Sequence, residues 1–294
     1  MVYKGIFPPI PTPFLNEEVA YDKLAENLTK LNQTKLSGYV ILGSNSEPVH
    51  LAEEEKLRVI ETARKVVPKE KVLWVGTGLE STKGTLELTN KAAELGADGV
   101  LVVTPGFYKN TLAKQEVLYK HYMSIADKAK TKVLLYNIPQ FTGINLEADL
   151  VVRLAQHPNI VGIKDSSGNV AQLADIIRLA PSHFSVFTGS ALILLPALCV
   201  GAAGGIVAVA NVAPNEMVRI QELYEQGDLN GARQQQFRMT PLAKGVTVKY
   251  GIGGLKAAMD LVGYYGGKPR SPLTAPGPEE IADLKKMLRE VELI

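Results

Sequence analysis

Eight short apolar runs, rich in β-branched residues and separated mostly by stretches of helical period, constrain this chain more than any other feature. The runs are Gly5–Phe14, Gly38–Leu42, Val72–Gly76, Asp98–Val103, Val133–Tyr136, Ile160–Lys164, Phe184–Thr188 and Gly205–Val209. They are continuously apolar rather than alternating, the pattern of strands buried on both faces of a parallel sheet. Helical periods fill Asp22–Leu36, Glu53–Val67, Ser81–Leu95, Lys114–Lys130, Glu147–Gln156, Val170–Leu179 and Ala191–Val200. Pro68 and Gly96 stand just past two of these as stop signals. A doubly wound open sheet is the rival architecture. It is disfavoured because no Gly-x-Gly-x-x-Gly follows any of the runs, and because eight strands close a barrel. The 294 residues exceed the ~250 that such a barrel needs. The sequence therefore predicts an α/β fold, a (β/α)8 TIM barrel, over residues 1–224. After Pro214 the strand signals stop, and Asn215–Gln226, Asp228–Lys249, Gly254–Tyr264 and Glu279–Val291 read as helices. The first is expected to be the eighth barrel helix. Residues 225–294 are expected to form a C-terminal helical appendage.

Charge and composition remove several function classes. Net charge is +2 and no dense Lys/Arg block exists, so nothing favours nucleic acid. The longest apolar stretch, Ala191 to Ala213, is broken by Pro196 and a glycine cluster, which argues against a membrane span. The first residues lack a basic segment followed by an apolar one, so no signal peptide is expected. The single cysteine, Cys199, lies in an apolar run and reads as a buried small residue, in keeping with a reducing cytoplasm. His50, His121, His157 and His183 are scattered without metal-ligand spacing, and no metal is expected.

Barrel enzymes carry their chemistry on the loops that follow the strands. The sixth run ends in Lys164, followed by the small polar tail Asp165-Ser166-Ser167-Gly168-Asn169. Burial disfavours the ammonium form of a lysine, and a neutral amine attacks carbonyls to give Schiff bases. The plainer alternatives are a lysine that snorkels out of the sheet end or pairs with Asp165. The second run ends in Gly43-Ser44-Asn45-Ser46-Glu47, which leaves backbone N–H groups approachable by a carboxylate or phosphate, or is simply a turn. The fifth ends in Tyr136-Asn137-Ile138-Pro139, where a phenol can move a proton or close the edge of a core. The fourth ends in Thr104-Pro105-Gly106-Phe107-Tyr108. The glycines of Gly201–Gly205 suit close backbone packing better than a phosphate site, since no Lys or Arg stands near.

Taken together and in order, these segments resemble the pyruvate-dependent class I aldolase superfamily. Its members include dihydrodipicolinate synthase, N-acetylneuraminate lyase and 4-hydroxy-2-oxoglutarate aldolase. The resemblance runs from Gly5 to about Leu273. It implies that Lys164 forms an imine with pyruvate, that Tyr136 shuttles a proton, and that Ser44 and Tyr108 extend its relay. It further implies that the N–H groups of Ser44 and Asn45 hold the pyruvate carboxylate. Ser166 joins the substrate-binding set, and the Ile206 carbonyl lines the pocket near the imine. No cofactor is implied, because the imine itself is the electron sink. The partners are small molecules, pyruvate and an aldehyde. A homotetramer is implied, with Tyr108 as the residue able to cross into a neighbouring site.

Ser44-Asn45, Lys164-Asp165-Ser166, Gly251–Lys256 and Gly263–Gly267 most resemble the 4-hydroxy-2-oxoglutarate aldolase pattern. Dihydrodipicolinate synthases usually carry an arginine where this chain has Phe141, and a phenyl ring offers none of the guanidinium's paired donors. The expected activity is therefore cleavage of 4-hydroxy-2-oxoglutarate to pyruvate and glyoxylate. The alternatives are condensation of pyruvate with aspartate semialdehyde, cleavage of 2-keto-3-deoxy sugar acids or N-acetylneuraminate, or a non-catalytic barrel that binds a keto acid. Ser46 replaces the family's usual glycine, which predicts strain if that position requires a positive φ.

Overall fold

The computed structural model describes residues 3–294. The chain is a (β/α)8 barrel with additional C-terminal helices. Its strands are β1 (Gly5–Phe7), β2 (Gly38–Ile41), β3 (Val72–Gly76), β4 (Gly99–Val103), β5 (Lys132–Asn137), β6 (Ile160–Asp165), β7 (Ser185–Thr188) and β8 (Gly204–Ile206). By internal packing it divides into two compact units. One holds Leu73–Ile206 with the described residues before Ile6, and the other holds Ile6–Val72 and Val207–Ile294.

In the first unit β3 to β8 lie side by side in chain order, each parallel to the next. Both faces are covered, so Val100, Leu101, Val102, Val133, Leu134 and Leu135 are all buried. This is why these runs are unbroken by polar residues. The helices between them are α3 (Thr82–Glu94), α4 (Gln115–Ala126), α5 (Ala148–Leu154), α6 (Val170–Leu179) and α7 (Leu194–Cys199). Ser81 caps α3 by accepting from the Gly84 N–H at 3.0 Å, and Asn169 caps α6 by accepting from the Gln172 N–H at 3.1 Å. Gly204 adopts φ 150°, and a Cβ there would run into the Gly5 carbonyl, so the glycine cluster does serve close packing at this point.

In the second unit the chain after β1 pairs with β2, the Val40 N–H donating to Pro8 O at 3.1 Å and the Ile10 N–H to Val40 O at 2.8 Å. Helices α1 (Tyr21–Leu31) and α2 (Glu53–Val66) pack on each other. The C-terminal part supplies α8 (Pro214–Glu225), α9 (Leu229–Lys244), α10 (Gly251–Leu261) and α11 (Pro278–Glu290), with a π-helical turn at Gly245–Lys249.

Three expectations change. The first strand was expected over Gly5–Phe14 but ends at Phe7, because Pro8, Pro9, Pro11 and Pro13 cannot donate to a ladder. Phe14–Leu15 instead pairs with Glu18–Val19 in a small hairpin whose turn residues Asn16 and Glu17 have positive φ. The last strand was expected over Gly205–Val209 but stops at Ile206, and Ala208–Asn211 forms a 3-10 turn. Cys199 is exposed rather than buried, since Leu194, Leu195, Ala197 and Leu198 take the inward positions of α7. Among the described residues no helix is long and apolar enough to cross a membrane.

Candidate active site

The register between β5 and β6 builds the centre of the site. Tyr136 is the direct partner of Lys164, and Asn137 of Asp165. Side chains alternate along a strand, so Tyr136 and Lys164 share one face while Asn137 and Asp165 share the other. Lys164 and Tyr136 are each only 3% exposed. The Lys164 Nζ lies over the Tyr136 ring, 4.1 Å from its centre. Among the described residues no carboxylate pairs with this amine.

The neighbouring polar residues form a separate buried network. Asp165 Oδ2 accepts from Asn137 Nδ2 at 2.8 Å and from Gln172 Nε2, on α6, at 2.7 Å. Asp165 Oδ1 accepts from the backbone N–H and the hydroxyl of Ser167, at 2.8 and 2.5 Å. Asn137 also donates to Asn145 Oδ1 at 2.8 Å, and its own Oδ1 accepts from the Leu146 N–H at 3.0 Å. Asp165 is thus saturated by four donors on the face away from Lys164. Both plainer readings of the lysine fail on this geometry: it neither snorkels to solvent nor pairs with Asp165.

Other strand ends lock these two residues further. The Thr104 N–H and hydroxyl both donate to Tyr136 O, at 3.2 and 3.3 Å. The Thr104 hydroxyl also meets Tyr122 OH at 3.1 Å, and burial pushes the Tyr122 phenol well above its usual value. The Gly189 N–H donates to Asp165 O at 2.6 Å. A Cβ at Gly189 would run into the Ser166 hydroxyl and come within 3.1 Å of Lys164 Cε, so the bare backbone leaves the lysine its room. Ser166 is half-buried beside it, its carbonyl held by Gln140 Nε2 at 2.8 Å. Ile206, the last residue of β8, is fully buried.

Phe141 and Tyr108 are exposed, unlike this buried pair. Phe141 lies on a one-turn helix, Pro139–Thr142, directly after β5 and is 67% exposed. Tyr108 is 71% exposed and meets Phe107 edge to face, ring centres 5.0 Å apart. Their loop is tied down by Glu80, which accepts from the N–H groups of Gly106 and Phe107 at 3.2 and 3.0 Å.

Ser44 and Asn45 belong to the second unit, where Ser44–Ser46 makes a 3-10 turn closed by the Ser46 N–H donating to Gly43 O at 2.8 Å. Ser46 is not the strained residue of this loop. Its hydroxyl donates to Ile10 O, its carbonyl accepts from Thr12 Oγ1 at 2.8 Å, and the positive φ of 56° falls on Glu47. Among the described residues, no three His, Cys, Asp or Glu side chains converge as metal ligands.

Sequence reasoning missed the Asp165 network, Thr104 and Gly189. Alternation alone carried a hint, because a polar residue adjacent to each of Lys164 and Tyr136 must face away from them.

Comparison with known proteins places the whole chain in one family. The sequence pattern of the dihydrodipicolinate synthetase family matches residues 2–291. The 4-hydroxy-tetrahydrodipicolinate synthase of Archaeoglobus fulgidus is 35% identical over 295 residues, covering all of both chains. The crystal structure of dihydrodipicolinate synthase from Thermotoga maritima superposes with a TM-score of 0.95 at 31% identity, again over 100% of each chain. YagE, a prophage protein of this family from E. coli K12 solved in complex with pyruvate, gives 0.93 at 28% identity over 100% of each chain. This chain belongs to the dihydrodipicolinate synthetase family, whose members are pyruvate-dependent enzymes of the class I aldolase type.

Proposed function

We propose that Lys164 attacks the keto carbon of pyruvate and forms an imine, with residues 1–224 as the catalytic barrel and 225–294 as its helical extension. The observation that carries this reading is the buried Lys164 amine, set against the Tyr136 ring with no carboxylate among the described residues to pair it. Water is lost on imine formation, a methyl proton then leaves, and the resulting enamine adds to an aldehyde. Tyr136 handles the protons, with Ser44 and Tyr108 behind it. The N–H groups of Ser44 and Asn45 hold the carboxylate, and Ser166 and the Ile206 carbonyl complete the pocket. The exposure of Tyr108 fits a residue that reaches a neighbouring subunit's site in a homotetramer.

The names of the similar proteins support aspartate semialdehyde as the second substrate, giving 4-hydroxy-tetrahydrodipicolinate. After addition, the aldehyde's own amino group displaces Lys164 and closes the ring. The names of these similar proteins lend no such support to 4-hydroxy-2-oxoglutarate, the substrate expected from the sequence. One observation still favours that second reading. Phe141 leaves the loop after β5 without the arginine that would grip the remote carboxylate of aspartate semialdehyde.

A panel of aldehydes with pyruvate, namely aspartate semialdehyde, glyoxylate, glyceraldehyde and N-acetylmannosamine, separates these readings. Synthase action predicts the highest kcat/KM with aspartate semialdehyde, and Phe141→Arg should raise it further. Preference for glyoxylate, with release of pyruvate from 4-hydroxy-2-oxoglutarate, would establish the second reading instead.

A further inference from the structure

The second unit contains an ion pair sealed from water. Lys256 Nζ, on α10, lies 2.6 Å from Glu47 Oε1, and both side chains are 0% exposed. Burying two opposite charges gives little net stability compared with packed hydrocarbon, so stability alone is a weak reason for it. Its position suggests another reason. Glu47 directly follows the Ser44–Ser46 turn and holds a left-handed backbone, φ 56°, which is costly for a residue with a Cβ.

The Glu47 side chain is fixed from several directions. Its Oε2 accepts from the Arg270 N–H at 2.9 Å, and His50 Nδ1 stands 3.7 Å away. Lys256 in turn donates to Lys268 O at 3.3 Å and lies over the Phe14 ring at 4.4 Å. The Arg270 guanidinium also lies over this ring, 4.5 Å from its centre, and grips both oxygens of Glu55 at 2.7 and 2.8 Å and His50 O at 2.8 Å. On the opposite side of the turn, Ser46 is anchored to Ile10 and Thr12. The turn that carries Ser44 and Asn45 is therefore clamped at its far end by residues of the C-terminal helical part.

We propose that Lys256 is a positioning residue: through Glu47 it sets the direction of the Ser44 and Asn45 N–H groups for the carboxylate of the 2-oxo acid. This rests on the reading that those two N–H groups bind that carboxylate. Lys256 touches no reacting atom in this account and acts only through the turn. The C-terminal helices thereby contribute to affinity for the 2-oxo acid as well as to packing.

The test is the full-length double variant Glu47→Gln, Lys256→Met, which removes both charges together and leaves neither buried alone. KM for pyruvate should rise by about tenfold or more, with a smaller fall in kcat at saturating pyruvate. A melting temperature that drops while KM for pyruvate stays within about twofold of wild type would overturn the proposal and leave a purely structural pair. If the double variant does not fold, Glu47→Asp, which keeps both charges and only shortens the reach to Lys256, gives the same two outcomes. Borohydride trapping of pyruvate on the wild-type enzyme separates the two levels of inference. Failure of that trapping defeats the Schiff-base reading. Successful trapping with an unmoved KM in the variants defeats the positioning role only.

Discussion

Lys164 and Tyr136 face each other across β5 and β6, the amine 4.1 Å from the centre of the phenol ring. Strand register fixes this relationship, with no loop intervening. Adjacent strands run about 4.8 Å apart, so two direct partners on one face are in contact by construction. The Ser166 N–H donates to Asn137 O at 2.8 Å and Asn137 Nδ2 to Asp165 Oδ2 at 2.8 Å, which ties the two strand ends to each other.

Tyr136→Phe keeps the ring and its packing and removes only the hydroxyl. The loss of a positioned proton carrier should lower kcat by about 10²- to 10⁴-fold. The melting temperature should hardly move, because the ring still fills its place. Steady-state kinetics beside a thermal melt checks both halves, and a variant with wild-type kcat would remove Tyr136 from the proton path.

Asp165→Ala acts through the fold. It strips four donors of their acceptor in a buried place, those of Asn137, Gln172 and the two from Ser167. Stranded buried donors should cost about 3 kcal/mol of stability or more, read as a lower midpoint in urea. Activity per folded molecule should fall as well, since the same network holds the ends of β5 and β6.

His121 gives a pH dependence with a definite sign. Burial between its neighbours lowers its value from 6.5 to about 4, only partly opposed by the nearby Glu80 charge. Its Nδ1 meets the Thr82 hydroxyl at 2.8 Å, and its ring stands edge-on to Tyr122. The unfolded chain takes up the proton first as pH falls, so the stability from neutral His121 is complete above pH 6.5 and is lost on the way to pH 4. At about 1.4 kcal/mol per unit the full loss is about 3 kcal/mol. His121→Gln should therefore show a flatter dependence of unfolding free energy on pH across that window. Parallel curves for variant and wild type would contradict the assignment.

The strands and the lysine were legible because they depend on local pattern. Val72–Gly76 and Val170–Leu179 fall where the hydrophobic period puts them, and Lys164 announces itself by ending a buried apolar run in a small polar loop. Errors came where local pattern and chain chemistry conflict. The apolar run after Gly5 contains four prolines before Phe14, and the ladder ends at the first of them. Residues Val207–Val209 are as apolar as a strand but turn into a 3-10 segment. The Asp165 network was hidden for a different reason, because its members Asn137, Asn145 and Gln172 come from three separate segments that only the fold brings together. The same holds for Glu47 and Lys256, which are far apart in sequence and meet only in the packed unit. The strain expected at Ser46 lies one residue later, at Glu47, because the 3-10 turn places its left-handed residue at the C-terminal end.

The central claim is that the Lys164 amine bonds covalently to a 2-oxo acid. Incubation with pyruvate and borohydride, followed by peptide mass spectrometry, tests it most directly. The account predicts a reduced three-carbon adduct on Lys164, absent from Lys164→Arg. An unmodified Lys164, or an adduct on another lysine, would contradict it.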